Sequence, residues 1–164
     1  MGFNGFRTCR LRDPLLWISI ALLMSFAGGA NATGIAQIIH ARKVHFRTLG
    51  RTDKFLRDQM DRSHLNWRLI QVDARQIAVL ADSLPTWFPA GSGKGHGVGT
   101  RASREIWAKP AAFTQAAQRM RISAQNMTRD AADHDLHALT LDTRSLGQSC
   151  DSCHRVFRTH SGWW

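Results

Sequence analysis

Leu136, Leu139, Thr143, Leu146, Cys150, Cys153 and Phe157 are separated by alternating steps of three and four residues. That spacing is the inward seam of an amphipathic helix and does not fit a strand, whose side chains change face at every residue. Two thiols therefore lie on a buried stripe, and His154 follows the second directly. Thiols three residues apart share a helix face, so Cys150 and Cys153 can reach both vinyl groups of one porphyrin. His154 stands about one turn beyond Cys150, where its imidazole can bind iron from below. Other readings of a Cys-x-x-Cys pair fit less well. A redox dithiol stands near the start of a βαβ unit, which these surroundings do not form. A zinc site needs more close-set ligands, and only His160 follows. The expectation is one covalent haem c, its iron bound by His154, lying between helices rather than clipped to an outer loop.

The chain has 164 residues, 43% of them hydrophobic, which suits one small domain. Its first 32 residues differ in character. Arg7, Arg10 and Arg12 precede a short apolar run from Leu15 to Ala27, and Ala30-Asn31-Ala32 puts small residues where a signal peptidase reads. The run falls short of the roughly 20 apolar residues of a membrane span. Residues 1–32 are therefore expected to be a signal peptide, and 33–164 a domain that begins near Thr33 and works in the periplasm. An uncleaved N-terminal anchor is the alternative. Cys9 leaves with the signal, and both remaining cysteines belong to the haem motif, so no structural disulfide is expected. The formal net charge is +10, and losing Arg7, Arg10, Arg12 and Asp13 removes a net +2 and leaves +8. Such a surface suits redox partner proteins with acidic faces, or an anionic membrane surface. No nucleic-acid partner is expected, because the charges are scattered and the compartment is wrong.

Three helical patterns precede the last one. Ile35, Ile39, Arg42, Phe46 and Leu49 step by four and three; Gly50 is expected to bend or interrupt this helix, which resumes through Phe55 and Leu56 to near Asp61. Ser63 is a candidate cap for a second helix that stops before Pro85. Its expected buried face is Leu65, Leu69, Val72, Val79 and Leu80, widened by Ile70, Ile77 and Leu84. Residues 85 to about 109 form a long connection. From Gly91 to Gly99 every other residue is glycine, with Lys94 and His96 between them. The order of a phosphate loop, G-x-x-x-x-G-K-[ST], is missing and no strand precedes it, so this stretch reads as a flexible loop pinned at both ends by Trp87, Phe88 and Trp107. Pro110 suits the first turn of a third helix with the seam Phe113, Ala117, Met120, Ala124 and Met127. Methionines at seam positions are core filler more often than iron ligands. The fourth helix starts near Asp133 or Asp135. The fold class is all-α, an antiparallel four-helix bundle with covalent haem near its C-terminal helix.

At this point the sequence resembles the class II c-type cytochromes, the cytochrome c′ family. The motif Cys150-x-x-Cys153-His154-x-x-Phe157-Arg158 stands ten residues from the last residue. Class I cytochromes c carry theirs near the N-terminus, with a methionine ligand far downstream. Arg42 and Phe46 look like the family's first-helix arginine and the distal-side residue four positions later. Leu84-Pro85, with an aromatic pair and a glycine-rich loop after it, looks like its second loop. Glu105-Ile106-Trp107, with Phe113 after it, looks like the start of its third helix. The family often has tyrosine where this chain has Phe157, and this chain has no tyrosine at all.

The resemblance implies a periplasmic monohaem cytochrome for one-electron transfer, for binding of small gases (NO, CO), or for both, and not a turnover enzyme. Low-spin carriers of the family take a methionine from the first helix as sixth ligand. Phe46 stands there instead and cannot ligate, which implies an apolar distal pocket and a five-coordinate iron. His45 is the alternative: it lies about 100° round the helix from Phe46, and a roll of that helix would make it the sixth ligand of a closed, low-spin carrier. Arg158, one turn beyond His154, is expected on the proximal side, where such an arginine meets a bound ligand; a cation at a helix C-terminus also suits the dipole. Arg42 and Lys43 are expected at the haem edge, with a propionate as the partner that a seam arginine needs. A peroxidase or nitric oxide reductase would find acid–base help only in Arg42 and His45. The family is frequently dimeric through its first two helices, so a homodimer is among the states implied.

Overall fold

The computed structural model describes residues 27–159, with side chains from residue 34 onward. The expected export segment before Ala27, and the end of the chain from His160, lie outside the described residues. Helix α1 is Ala27–Met60, α2 Trp67–Ser83, α3 Pro110–Asp133 and α4 Leu136–Phe157. A 3₁₀ turn, Leu84–Trp87, and a one-turn helix, Glu105–Ala108, lie in the connection between α2 and α3. The backbones pack in chain order, α1 on α2, α2 on α3, α3 on α4, whereas α1 and α4 form no interface of that closeness. Side chains bridge this last pair. Thr143 Oγ1 lies 3.8 Å from Met60 Sδ, and a Cβ on Gly147 would stand 3.4 Å from the Arg57 guanidinium.

Helix α1 runs through Gly50 without the interruption that the glycine suggested. Its flanks hold it. Leu49 and Leu56 are buried in the core, and Thr52 hydrogen-bonds Gln76 of α2 at 3.3 Å. A Cβ at Gly50 would meet nothing within 4 Å. The glycine therefore costs only backbone entropy, which the neighbouring burial offsets.

Helix α2 departs further from its expected form. Asn66, not Ser63, is the cap, its side chain accepting from the Leu69 N–H at 3.2 Å. The buried stripe is Ile70, Ala74, Ile77 and Ala81, while Leu69, Val72 and Val79 are exposed. Bulk misleads here. Two alanines let α2 approach α3 closely, so that Thr128 Oγ1 reaches the Ala74 carbonyl at 3.4 Å. The helix then stops at Ser83, and Pro85 falls in the following 3₁₀ turn.

Helices α3 and α4 follow their seams, except that Leu136, in the first turn of α4, is exposed because the helix end leaves it beyond the core. Pro110 occupies the first turn of α3, and Phe113, Ala117, Met120, Ala124 and Met127 are all buried, with Met127 fully so. His134 ends α3 at φ 57°, its ring stacked on Trp67 at 4.8 Å. Asp135 caps α4, accepting from the Ala138 N–H at 2.9 Å. On the facing side Asp130 has a buried oxygen, Oδ2, without a partner. Burial, with Asp142 and Asp135 beside it, pushes its carboxyl up to about 6.

Two stability measurements follow from these helices. Gly50→Ala should stabilise the domain by about 1 kcal/mol, read as a higher Tm; a lower one would show that α1 needs the glycine. Folding raises the Asp130 pKa, so its favourable contribution is complete below the unfolded value of about 4 and is lost as pH rises through 6. Asp130→Asn should therefore raise Tm at pH 8 and leave it unchanged at pH 3.5. Equal shifts at both pH values would show that the carboxyl acts through something other than its proton.

Candidate haem site

The α4 seam sets the two thiols against the core. Leu139, Thr143 and Leu146 are buried before them and Phe157 after, while Cys150 and Cys153 are unpaired, half-buried and packed on the hydrophobic cluster. Burial pushes the Cys150 thiol up to about 11, and Asp53, across on α1, acts in the same direction. Burial raises Cys153 as well, against the nearby charge of Arg119 on α3. Both sulfurs hold their protons at neutral pH, the reverse of a redox dithiol, whose reactive thiol is depressed. Burial lowers the pKa of His154, helped by Arg158 and Arg101 and opposed by Asp151. The neutral imidazole, with its free lone pair, is the form a metal takes. Among the described residues no three His, Cys, Asp or Glu side chains converge to hold a bare metal ion. The donor set instead fits a macrocycle that brings four nitrogens of its own, needing two thiols as anchors and one imidazole.

The long connection closes over the end of α4. Ser103 N–H donates to the Phe157 carbonyl at 2.9 Å, Thr159 N–H to the Arg101 carbonyl at 2.8 Å, and Ala102 pairs with Arg158 as an isolated bridge. A hollow of about 320 Å³ remains beside His154, lined by Arg101, Asp151, Arg155 and Arg158. Arg158, expected near the proximal side, thus shares a hollow with His154.

Arg42 on α1 is only 3% exposed. Its guanidinium donates to the Trp87 carbonyl at 3.4 Å, to Ser92 Oγ at 3.1 Å, to the Ser92 carbonyl at 3.0 Å and to Thr100 Oγ1 at 2.9 Å, and it lies 4.5 Å over the Phe88 ring. The loop supplies the partners for which a propionate was expected. Lys43 donates to the Gly99 carbonyl at 3.1 Å. The glycine-rich stretch is consequently tied to α1 at both ends. Gly95, at φ 106°, adopts backbone that only glycine takes freely, and a Cβ at Gly93 would come within 3.4 Å of Trp107. Trp107 pins the same segment, its indole N–H donating to the carbonyls of Phe88 and Pro89.

His45 and Phe46 both meet Trp87, in different geometries. His45 stacks on Trp87 at 4.8 Å and 21°. Phe46 meets Trp87 edge-on at 5.2 Å and Phe88 at 6.1 Å. From there Phe88 touches Phe113 at 5.1 Å, and Phe113 touches Phe157 at 5.3 Å. An aromatic chain thus runs from α1 through the connection to the helix of the thiols. Sequence reasoning missed this chain, and with it Arg119; the aromatic pair after Pro85 was the signal, read only as a loop anchor.

A helical bundle with an inward Cys-x-x-Cys-His on its last helix defines a c-type haem protein. The sequence matches the family model described as Cytochrome C′ over residues 37–158, and the chain belongs to the cytochrome c′ family. Its cofactor is accordingly a covalent haem c with its iron. The chain is 38% identical over 86 residues to a cytochrome c-554 of Cereibacter sphaeroides, covering 52% of this chain and 64% of that protein. It is 30% identical over 86 residues to a cytochrome c′ of Rhodospirillum rubrum, covering 52% and 56%. These matches span somewhat under two thirds of the relatives' own length. Among solved structures, the cytochrome c′ of Thermochromatium tepidum superposes with a TM-score of 0.71 at 19% identity, over 77% of this chain and 97% of that one. A cytochrome c′ with ligand-controlled dimer dissociation gives 0.72 at 21%, over 77% and 97%. A nitric oxide complex of a cytochrome c prime variant from Alcaligenes xylosoxidans gives 0.64 at 21%, over 77% and 97%. At these identities the likeness is one of fold.

Replacing the clasp should loosen this end of the molecule. Arg42→Leu leaves the Ser92 and Trp87 carbonyls without their donor and is expected to cost about 3 kcal/mol. Amide exchange over residues 88–100 should accelerate more than that of α3. Unchanged exchange there would show that Trp107 alone orders the segment.

Proposed function

We propose that this chain is an exported, periplasmic monohaem cytochrome for one-electron transfer and for binding nitric oxide or carbon monoxide, and that it is not a turnover enzyme. Haem c supplies a one-electron Fe(III)/Fe(II) couple and, where an axial position lacks a protein ligand, a seat for a diatomic gas. Cys150 and Cys153 would hold it through thioethers, each S–H adding across a vinyl group, and His154 would bind the iron through its neutral imidazole. Arg158, beside His154 in the same hollow, is assigned to the proximal side. Lys43, with one carbonyl partner and an exposed ammonium, suits a haem edge; Arg42 contributes by holding the loop there.

The observation that carries the open-site reading is the state of His45 and Phe46. Phe46 cannot ligate and is wedged between Trp87 and Phe88. His45 is engaged in its stack on Trp87, so a roll of α1 that brought it to the iron would break that stack and Arg42's bonds together. The second reading, a low-spin carrier with His45 as sixth ligand, requires both losses. The same engagement leaves neither Arg42 nor His45 free for acid–base work, which weighs against peroxidase chemistry.

The wider setting rests on sequence and surface. The export reading takes 1–32 as signal peptide and 33–164 as the working domain; among the described residues no helix is long and apolar enough to cross a membrane. Phe55 on α1, with Leu69, Val72 and Val79 on α2, exposes apolar surface that a homodimer through these helices would cover. Redox partner proteins with acidic faces suit the net charge; a nucleic-acid partner does not suit that compartment.

The test is the optical spectrum of the ferrous holoprotein before and after adding carbon monoxide. A broad high-spin spectrum that sharpens with the gas is expected, and Phe46→Ala should hasten the change. A sharp low-spin spectrum indifferent to carbon monoxide would overturn the open site, and a response restored by His45→Ala would establish the second reading.

A further inference from the structure

Ion pairs among the described residues join Lys54 with Asp58, Arg57 with Asp53, Arg104 and Lys109 with Glu105, and Arg121 with Asp82. Arg101, Arg119, Arg155 and Arg158 belong to none of them. These four arginines are also neighbours. Arg101, Arg155 and Arg158 line the hollow of about 320 Å³ beside His154. Arg119 and Arg155 line a second groove, of about 590 Å³, between α3 and α4. Arg155 stands in both and joins them into one face, where Asp151 is the single carboxylate among the described lining residues.

We infer that this two-lobed basic face is the docking site of an acidic protein partner that exchanges electrons with the haem. The inference rests on the redox reading above and names where its partner binds. Four arginines that form no ion pair among the described residues, opposed there by Asp151, carry a positive field that the low-dielectric walls of two concave grooves focus, which raises the encounter rate of an anionic partner. The chemistry of the second groove suits protruding carboxylates. Ser123, Ser145, Ser149 and Ser152 each donate their hydroxyl proton back to a helix carbonyl, so the groove's charged donors are its two arginines, and Gln148 adds an amide. An arginine fork binds a carboxylate with two parallel N–H bonds. Concavity favours side chains that project over a flat plane of lipid headgroups. Location supplies the remaining argument. Ser152 and Arg155 flank Cys153 and His154 in sequence on α4, so a partner seated here lies within one turn of the haem anchor.

The test uses the ferric holoprotein, two small reductants of opposite charge and an acidic polymer. Reduction by the anionic iron(II)–EDTA complex at low ionic strength should slow by about fivefold to tenfold in Arg155→Glu and in Arg119→Glu, the gap closing at high salt. Reduction by cationic hexaammineruthenium(II) should be undiminished in both. Arg75→Glu, an exposed α2 position with the same change of net charge, should move either rate by less than about twofold. Poly-L-glutamate should retard the iron(II)–EDTA reaction of the parent protein and not that of the Arg119→Glu/Arg155→Glu pair. Equal slowing by Arg75→Glu would overturn the docking face, because net charge alone would then set the rate. Binding to phosphatidylglycerol vesicles that needs Arg155, with no effect of poly-L-glutamate, would overturn it in favour of a membrane surface. A haem that neither reagent reduces would instead sink the redox reading itself.

Discussion

The guanidinium of Arg42 is charged and buried, and no carboxylate among the described residues pairs with it. Such a group is tolerated only when acceptors surround it, since an unpaired buried charge costs several kcal/mol. Two loop carbonyls and two loop hydroxyls, from Trp87, Ser92 and Thr100, supply them, and the Phe88 ring covers the remaining face. Helix and connection therefore order each other. Moving either would strand polar groups on both sides, and the aromatic side chains beside them are placed as a consequence.

From that clasp the order passes along the aromatic rings. Trp87 and Phe88, fixed by Arg42, position Phe46 and His45 on α1, and Phe88 hands on through Phe113 to Phe157, one turn past the thiols. The far end of the connection is held by main-chain bonds between residues 101–103 and 157–159. The α1 and α4 backbones, which form no close interface, are thus linked through a third segment. Helix α4 carries two surfaces of different character. Its seam presents Cys150 and Cys153 to the core, and Arg155 and Arg158 line the hollows at its exposed end.

Three of the four helices were legible because their seams are built from large side chains or thiols in steps of three and four. The second was misread on the same logic. Leu69, Val72 and Val79 look like a buried face, yet Ala74 and Ala81 occupy it, because close approach to α3 rewards small residues that periodicity undervalues. Gly50 looks like a break, yet helix formation is cooperative and Leu49, Thr52 and Leu56 hold both flanks. At the candidate site, the spacing shows that Cys150 and Cys153 share the inward seam with His154 beside them, and the structure places both thiols against the core. Arg42 on a seam needs partners, but nothing local says that a loop fifty residues away supplies acceptors for it.

The sequence by itself determined the helical class, the bound haem c and the helix that anchors it, because periodicity and thiol spacing are local properties that survive any packing. Only the tertiary structure decided what surrounds the anchor: that Arg42 clasps the connection, that His45 stacks on Trp87, that an aromatic chain joins Phe46 to Phe157, and that arginines from the connection, α3, α4 and the residue just past α4 line adjoining hollows. Each of these depends on side chains from separate elements meeting at a few ångströms. Their meeting is set by how closely whole helices approach, through alanines and loop carbonyls that leave little pattern in the chain.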